Sequence, residues 1–146
     1  MPQTFRSDCP ITSSLDVLGD KWMLVLVKQM LLEDRQTFKD FMASDEAIAT
    51  NILTTKLRLL EALDFVAKVK LPHNKKTNLY HLTEKGLSLA PLIVELALWS
   101  DGNLRELNPI MRADEGLEWM KNDRAGFIQA VQQGYRERVA ATLRGA

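Results

Sequence analysis

Asn51, Thr54, Thr55 and Arg58 lie at intervals of three and four along one short segment. Four lysines, Lys68, Lys70, Lys75 and Lys76, follow a little further along the chain. These residue types can read and grip nucleic acid. An arginine can donate two parallel bonds to the edge of guanine, an asparagine can pair with adenine, and a threonine can touch a phosphate or a thymine methyl. Lysines hold phosphates and so set position rather than sequence. Thr50 opens the same segment. Thr37 and Lys39 stand at an earlier helix start, where backbone N–H groups could hold a phosphate. The bland reading of any one of these features is a solvated helix face.

Other chemistries find no support. His73 and His81 are not at metal-ligand spacing with any Cys or carboxylate cluster, and no Ser-His-Asp or Cys-His set has a credible context. Gly86 stands alone and Gly19 reads as a turn, so no glycine loop cradles a phosphate. The expectation is no enzyme, no metal and no cofactor. Trp99, and Trp119 with Met120, read as core or dimer contacts.

The chain has 146 residues, enough for one domain or for one domain and an arm. Hydrophobic residues make up 46% and charged residues 26%, a globular composition. Lys plus Arg and Asp plus Glu are 19 each, which excludes a bulk polycation. The distribution is uneven. Residues 51–85 carry seven cations and three acids, residues 1–50 five and eight, and residues 86–146 seven and eight. A cationic middle between acidic flanks points to an anionic partner at one face. The single cysteine excludes an internal disulfide framework and fits a reducing compartment. The longest apolar run, residues 22–27, is far too short to span a bilayer, and the first ten residues lack the core of a signal peptide. The expected setting is soluble and cytoplasmic, with no membrane partner.

The elements must now place the candidate residues. Ser13 with Asp16 reads as a capping box opening a first helix that ends near Gly19. Residues 21–32 are apolar nearly all round, as in a helix at the middle of a bundle. Thr37 with Asp40 is a second capping box, opening a short helix that buries Phe38 and Phe41. A fourth helix is expected over 50–63. Its stripe Leu53, Leu57, Leu60 faces inward, which turns Asn51, Thr55 and Arg58 outward with Thr54 at the margin. The period then changes to two. Strands over 65–71 and 78–82 flank the loop 72–77, a hairpin tipped with Lys75 and Lys76. Thr83 caps a long helix over 84–100 with a kink or restart at Pro91. Asp114 and Asp123 read as N-caps of two further helices.

Three helices, a fourth with a polar outer face, then a basic hairpin form the element order of a winged helix-turn-helix. The expected class is mostly α (α+β), with a two-stranded β-hairpin wing and terminal dimerisation helices. Residues 8–100 form the DNA-binding domain and 101–146 a helical extension. The stripes Leu89, Leu92, Ile93, Leu96, Trp99 and Phe127, Val131, Tyr135 offer more apolar surface than one small core needs. They are the expected interface of a homodimer on a pseudo-palindromic operator. The bland alternative folds the tail back on its own domain. A wing also serves protein contacts, so a winged-helix interaction module without direct DNA binding is the rival reading.

Cys9-Pro10, Leu15-Asp16-Val17-Leu18-Gly19-Asp20-Lys21-Trp22, Ile48-Ala49-Thr50-Asn51-Ile52-Leu53, Leu57, Leu60-Glu61 and Tyr80-His81-Leu82-Thr83-Glu84-Lys85-Gly86 together resemble the HxlR-type transcriptional regulators. The resemblance covers about residues 8–100 in order. It implies a winged-helix dimer on operator DNA, the fourth helix as recognition helix, and dimerisation through terminal helices. Asp64 stands where a glycine is common, and Ala49 where many members have serine. The tail after about Asn108 lies outside the shared domain. Some relatives use the cysteine of this Cys-Pro motif to sense oxidants or electrophiles, which makes Cys9 the candidate redox sensor. A helix start just after it would lower its thiol pKa. With no second cysteine, sensing requires an intersubunit disulfide or an adduct. A small molecule or electrophile is the candidate effector, and no residue in the sequence identifies it.

Overall fold

The computed structural model describes residues 4–71 and 73–145. Eight helices and one hairpin follow in the order α1 (Pro10–Leu18), α2 (Met23–Glu33), α3 (Phe38–Met42), α4 (Thr50–Ala62), β1 (Val66–Leu71), β2 (Asn74–Leu82), α5 (Glu84–Leu87), α6 (Ala90–Asn103), α7 (Glu115–Asn122) and α8 (Arg124–Gly145). The expected capping box at Ser13 does not form. α1 starts three residues earlier, with Pro10 in its first turn and Cys9 as N-cap. Proline suits that position because its missing N–H would have no helical partner there. Asp16 instead takes the backbone N–H of Arg6 at 3.1 Å and pairs with its guanidinium. Asp20 opens α2 by accepting the N–H groups of Trp22 and Met23 at 3.0 and 2.8 Å. The capping box at Thr37 and Asp40 is present as read.

α2 runs through the centre of the core. Met23, Leu26, Val27 and Met30 are fully enclosed, together with Phe41, Leu53 and Leu60 from α3 and α4. Each such side chain contributes about 1.5–3 kcal/mol over exposure. Sequence reading passed over Gln29, which is also buried and donates to Glu46 at 2.9 Å. α4 turns into the wing through Asp64, whose φ of 66° is left-handed. That is the position where the resemblance expects glycine, and aspartate is among the few other residues that adopt it readily.

The hairpin differs from expectation in its second strand. β2 begins at Asn74, so Lys75 and Lys76 belong to the strand and not to a six-residue loop. Lys70 faces Asn78 and Leu71 faces Asn74, which pushes residues 75–77 out of register as a bulge. The Asn74 side chain closes the bulge, donating to Thr77 Oγ1 at 3.0 Å and accepting the Lys76 N–H at 3.2 Å. Pro72, expected in the loop, lies outside the described residues.

The long helix expected over 84–100 is two helices. α5 ends at Leu87, and α6 restarts with Pro91 in its first turn. Gly86 is required here, because a Cβ on it would overlap the carbonyl oxygen of Phe65. α7 and α8 pack back on their own chain. Val94, Leu117, Met120 and Phe127 form a second small core, which Ile128 and Val131 join to the main one. Asp114 and Asp123 act as side-chain caps, as read.

Candidate nucleic-acid interface

The helix that carries Asn51, Thr55 and Arg58 is built as its spacing requires. Leu53, Leu57 and Leu60 are buried, and the three polar side chains are exposed on the other side, with Thr50 at the start and Thr54 half-buried. Ala49 supplies no side-chain cap. Thr54 donates its hydroxyl to the carbonyl of Thr50 at 3.0 Å, and Thr55 to that of Asn51 at 2.9 Å. In this rotamer both threonines turn their protons inward. What they offer a groove is a methyl and a lone pair, which suits a thymine methyl better than a phosphate.

The wing lies beside that helix. Thr54, Leu57, Arg58 and Glu61 of α4, Lys68 of β1, Asn78 and Tyr80 of β2, and Phe38 of α3 line a cleft of about 190 Å³. Lys68 faces Tyr80 and Lys70 faces Asn78 across the hairpin. The backbone N–H of Tyr80 donates to the Gln36 carbonyl at 2.7 Å, pinning the wing to the turn before α3. Burial, and then Glu61, raise the Tyr80 phenol above its ordinary range, against the pull of Asn78 and Arg58. The phenol therefore keeps its proton and can donate. Sequence reading missed Glu61, Asn78 and Tyr80. The alternation of the hairpin held the signal for the last two, since they stand opposite the two lysines it did select.

Ion pairing sorts the cations. Lys56 pairs with Asp20 and is mostly covered. Burial works against the Asp20 carboxylate, but Lys56 and the amides of Met23 and Trp22 together hold its pKa below the usual range. Lys85 sits 4.8 Å over the Phe65 ring and donates to the Leu63 carbonyl at 2.9 Å. Both are structural. Among the described residues Arg58, Lys68, Lys70, Lys75 and Lys76 are exposed and carry no salt bridge. Lys39 is exposed as well. Thr37 is a correction. Its hydroxyl accepts the Asp40 N–H, and the Asp40 carboxylate accepts the N–H groups of Gln36 and Thr37 at 2.9 and 3.1 Å. That helix start is closed by an acid of the chain itself, which repels a phosphate.

Cys9, at the N-cap of α1, is half-buried. Its thiol is held below the ordinary range by the Thr12 amide, the Thr12 hydroxyl and the Ile11 amide. His81 Nδ1 lies 3.2 Å from the carbonyl oxygen of Leu82, and His73 is exposed.

The expected dimer stripes also need correction. Ile93, Phe127 and Tyr135 are enclosed by their own chain, and Leu89 and Val131 are half-buried against it. They have little surface to give a second copy. Leu92, Leu96 and Trp99 remain outward on α6, Trp99 with 59% of its surface exposed. Ile11 and Leu15 are outward on α1.

A helix presenting Arg, Asn and Thr beside a hairpin of unpaired lysines defines a winged helix-turn-helix DNA-binding regulator. Comparison with known proteins agrees. The family described as HxlR-like helix-turn-helix matches residues 17–108. The HTH-type transcriptional regulator YybR of Bacillus subtilis (strain 168) is 31% identical over 67% of this chain and 78% of its own. The solved structure of PA1607, assigned as a transcription factor, superposes with a TM-score of 0.61 at 30% identity, over 75% of this chain and 71% of its own. The redox regulator HypR in its reduced form gives a TM-score of 0.59 at 29% identity, over 69% of this chain and 99% of its own. The chain belongs to the HxlR family of transcriptional regulators.

Proposed function

We propose that the protein is a homodimer that binds a pseudo-palindromic operator in the cytoplasm, with no catalytic role. α4 enters the major groove, and the wing follows the adjacent backbone. Arg58 and Asn51 read bases, Thr54 and Thr55 contact thymine methyls, Thr50 meets the sugar-phosphate, and Lys39, Lys68, Lys70, Lys75 and Lys76 hold phosphates. The observation that carries this reading is the separation of the cations. Those facing the cleft and the wing are unpaired, while Lys56 and Lys85 of the same segment are engaged within the fold. The outward stripe Leu92, Leu96, Trp99, with Ile11 and Leu15, supplies the dimer contact. It sets two copies of α4 about one helical turn of DNA apart.

Cys9 gates the dimer. Diamide takes two electrons from a pair of thiols, one on each protomer, and the two sulfurs join as both protons leave. An electrophile bonds to a single thiolate. Support comes from the lowered thiol pKa and from the likeness to HypR, a redox regulator solved in reduced and oxidised forms.

Anisotropy titration with duplexes drawn from DNA flanking the protein's own coding sequence, and with scrambled duplexes, tests the reading. Arg58→Ala should cost ~1–3 kcal/mol and relax one base position, while Lys75→Ala weakens all sequences alike. Unchanged affinity in both refutes DNA recognition by this face. Diamide should change the affinity of the wild type and leave Cys9→Ser unaffected; an equal response in both removes Cys9 from the mechanism.

A further inference from the structure

A hollow walled by the helices lies away from the DNA face. It measures about 740 Å³ and is walled by α2, α6, α7, α8 and the segment before α7. That size is in the range of small-molecule sites. Leu24, Val25, Met111, Met120 and Val131 give it an apolar lining, with Leu96 shared between the cleft and the outward stripe of α6. The charges at its mouth are matched in pairs. Lys28 meets Glu33 at 2.7 Å, Arg105 meets Asp101 at 2.6 Å, Arg112 meets Asp114 at 3.5 Å, and Arg138 meets Asp34 at 3.6 Å. Among the described residues every charge that lines the cleft has a partner of opposite sign, which leaves none dedicated to an ionic headgroup. A charged ligand would enter the apolar interior without a counter-ion, which is costly.

We infer that this cleft is a binding site for an uncharged, predominantly apolar small molecule, and that occupancy is transmitted to the wing through α8. One wall of the cleft is Phe127 and Val131 of that helix. One turn further on, Tyr135 is buried and its hydroxyl accepts the N–H of Leu82, the last residue of the wing, at 2.8 Å. Gln132 donates to the Leu87 carbonyl at 3.1 Å, and Arg136 clamps Glu84 with two bonds of 3.0 and 2.9 Å. A tilt of α8 against the cleft therefore moves the base of β2 and α5. The binding half of the inference stands by itself, and the regulatory half rests on the DNA-binding reading.

The probe is N-phenyl-naphthylamine, an uncharged fluorophore, titrated into the full chain without DNA. A saturable rise at one probe per chain is expected. Val25 is half-exposed and outside both cores, so Val25→Trp fills the cleft without disturbing the fold. It should weaken the probe by about tenfold or more, as should Ala97→Trp. The anionic relative anilinonaphthalene sulfonate should bind about tenfold more weakly. Hydrogen exchange at the Leu82 amide should change when the probe saturates the wild type, and should not change in Tyr135→Phe. Absence of saturable binding, or an affinity unchanged from the wild type in both filled variants, overturns the site. So does a Val25→Trp chain that sediments as a monomer where the wild type is a dimer, since a second copy would then occupy the cleft. Equal binding of the anionic dye overturns the ligand class. A Leu82 amide indifferent to the probe overturns the transmission. None of these readouts uses DNA, so failure of operator recognition would leave them standing.

Discussion

The salt dependence of DNA binding separates lysines that sequence alone treats as equal. Lys68, Lys70, Lys75 and Lys76 are unpaired, so a dimer brings eight of them to the backbone. Each phosphate neutralised releases a counter-ion, and the logarithm of the association constant falls with log salt by about 0.9 per contact. The wing's share of the wild-type slope is therefore about −7, a loss of about 10⁴ in affinity from 50 to 200 mM salt, and Lys39 adds about −2. Lys75→Ala removes two contacts per dimer and should make the slope shallower by about 2. Its deficit against the wild type then shrinks about tenfold over the same salt range. Lys56→Gln is the decisive control. Lys56 belongs to the same cationic segment but is bound to Asp20. Its removal should leave the slope unchanged and lower stability instead, because Asp20 loses its partner. Anisotropy titrations at four or more salt concentrations, with urea melts of each variant, provide both numbers. Equal slope changes in the two variants would refute the assignment of the wing as the phosphate grip.

Tyr135→Phe leaves the buried Leu82 N–H without an acceptor and should cost about 1–3 kcal/mol in urea unfolding. The Tyr135 phenol is pushed up to about 12, chiefly by burial. Wild-type stability should hold below pH 10 and fall as pH rises from there towards 12, by roughly 2–3 kcal/mol, and Tyr135→Phe should flatten that decline. Ala49→Ser gives α4 the cap it lacks and should raise stability by about 0.5–1 kcal/mol in thermal or urea melts. Gly86→Ala should destabilise by about 1–3 kcal/mol, since the Phe65 carbonyl must move. Cys9 should react with iodoacetamide faster near pH 7 than an unperturbed thiol does, and Thr12→Val should slow it by removing one bond to the thiolate.

Local periodicity and capping are legible along the chain without its fold. The inward stripe Leu53, Leu57, Leu60 fixes which way Arg58 points, and the Thr37–Asp40 and Thr83 caps fix where their helices begin. Each depends on contacts a few residues apart, so a single chain reading suffices. At Ser13 the same logic failed, because α1 already starts at Pro10 and the Ser13 N–H is taken by the Cys9 carbonyl at 2.9 Å. The bulge at residues 75–77 also escaped it, since register depends on the opposite strand. Which cations are spent in ion pairs, and which apolar stripe is left outside, depends on how the helices pack. Leu92, Leu96 and Trp99 read like Ile93 and Tyr135 in the sequence, yet the main core encloses the latter two and not the first three. Burial and pairing belong to residues brought together from far along the chain. Residue type and spacing define what a side chain can do; the neighbours supplied by folding decide whether it is free to do it.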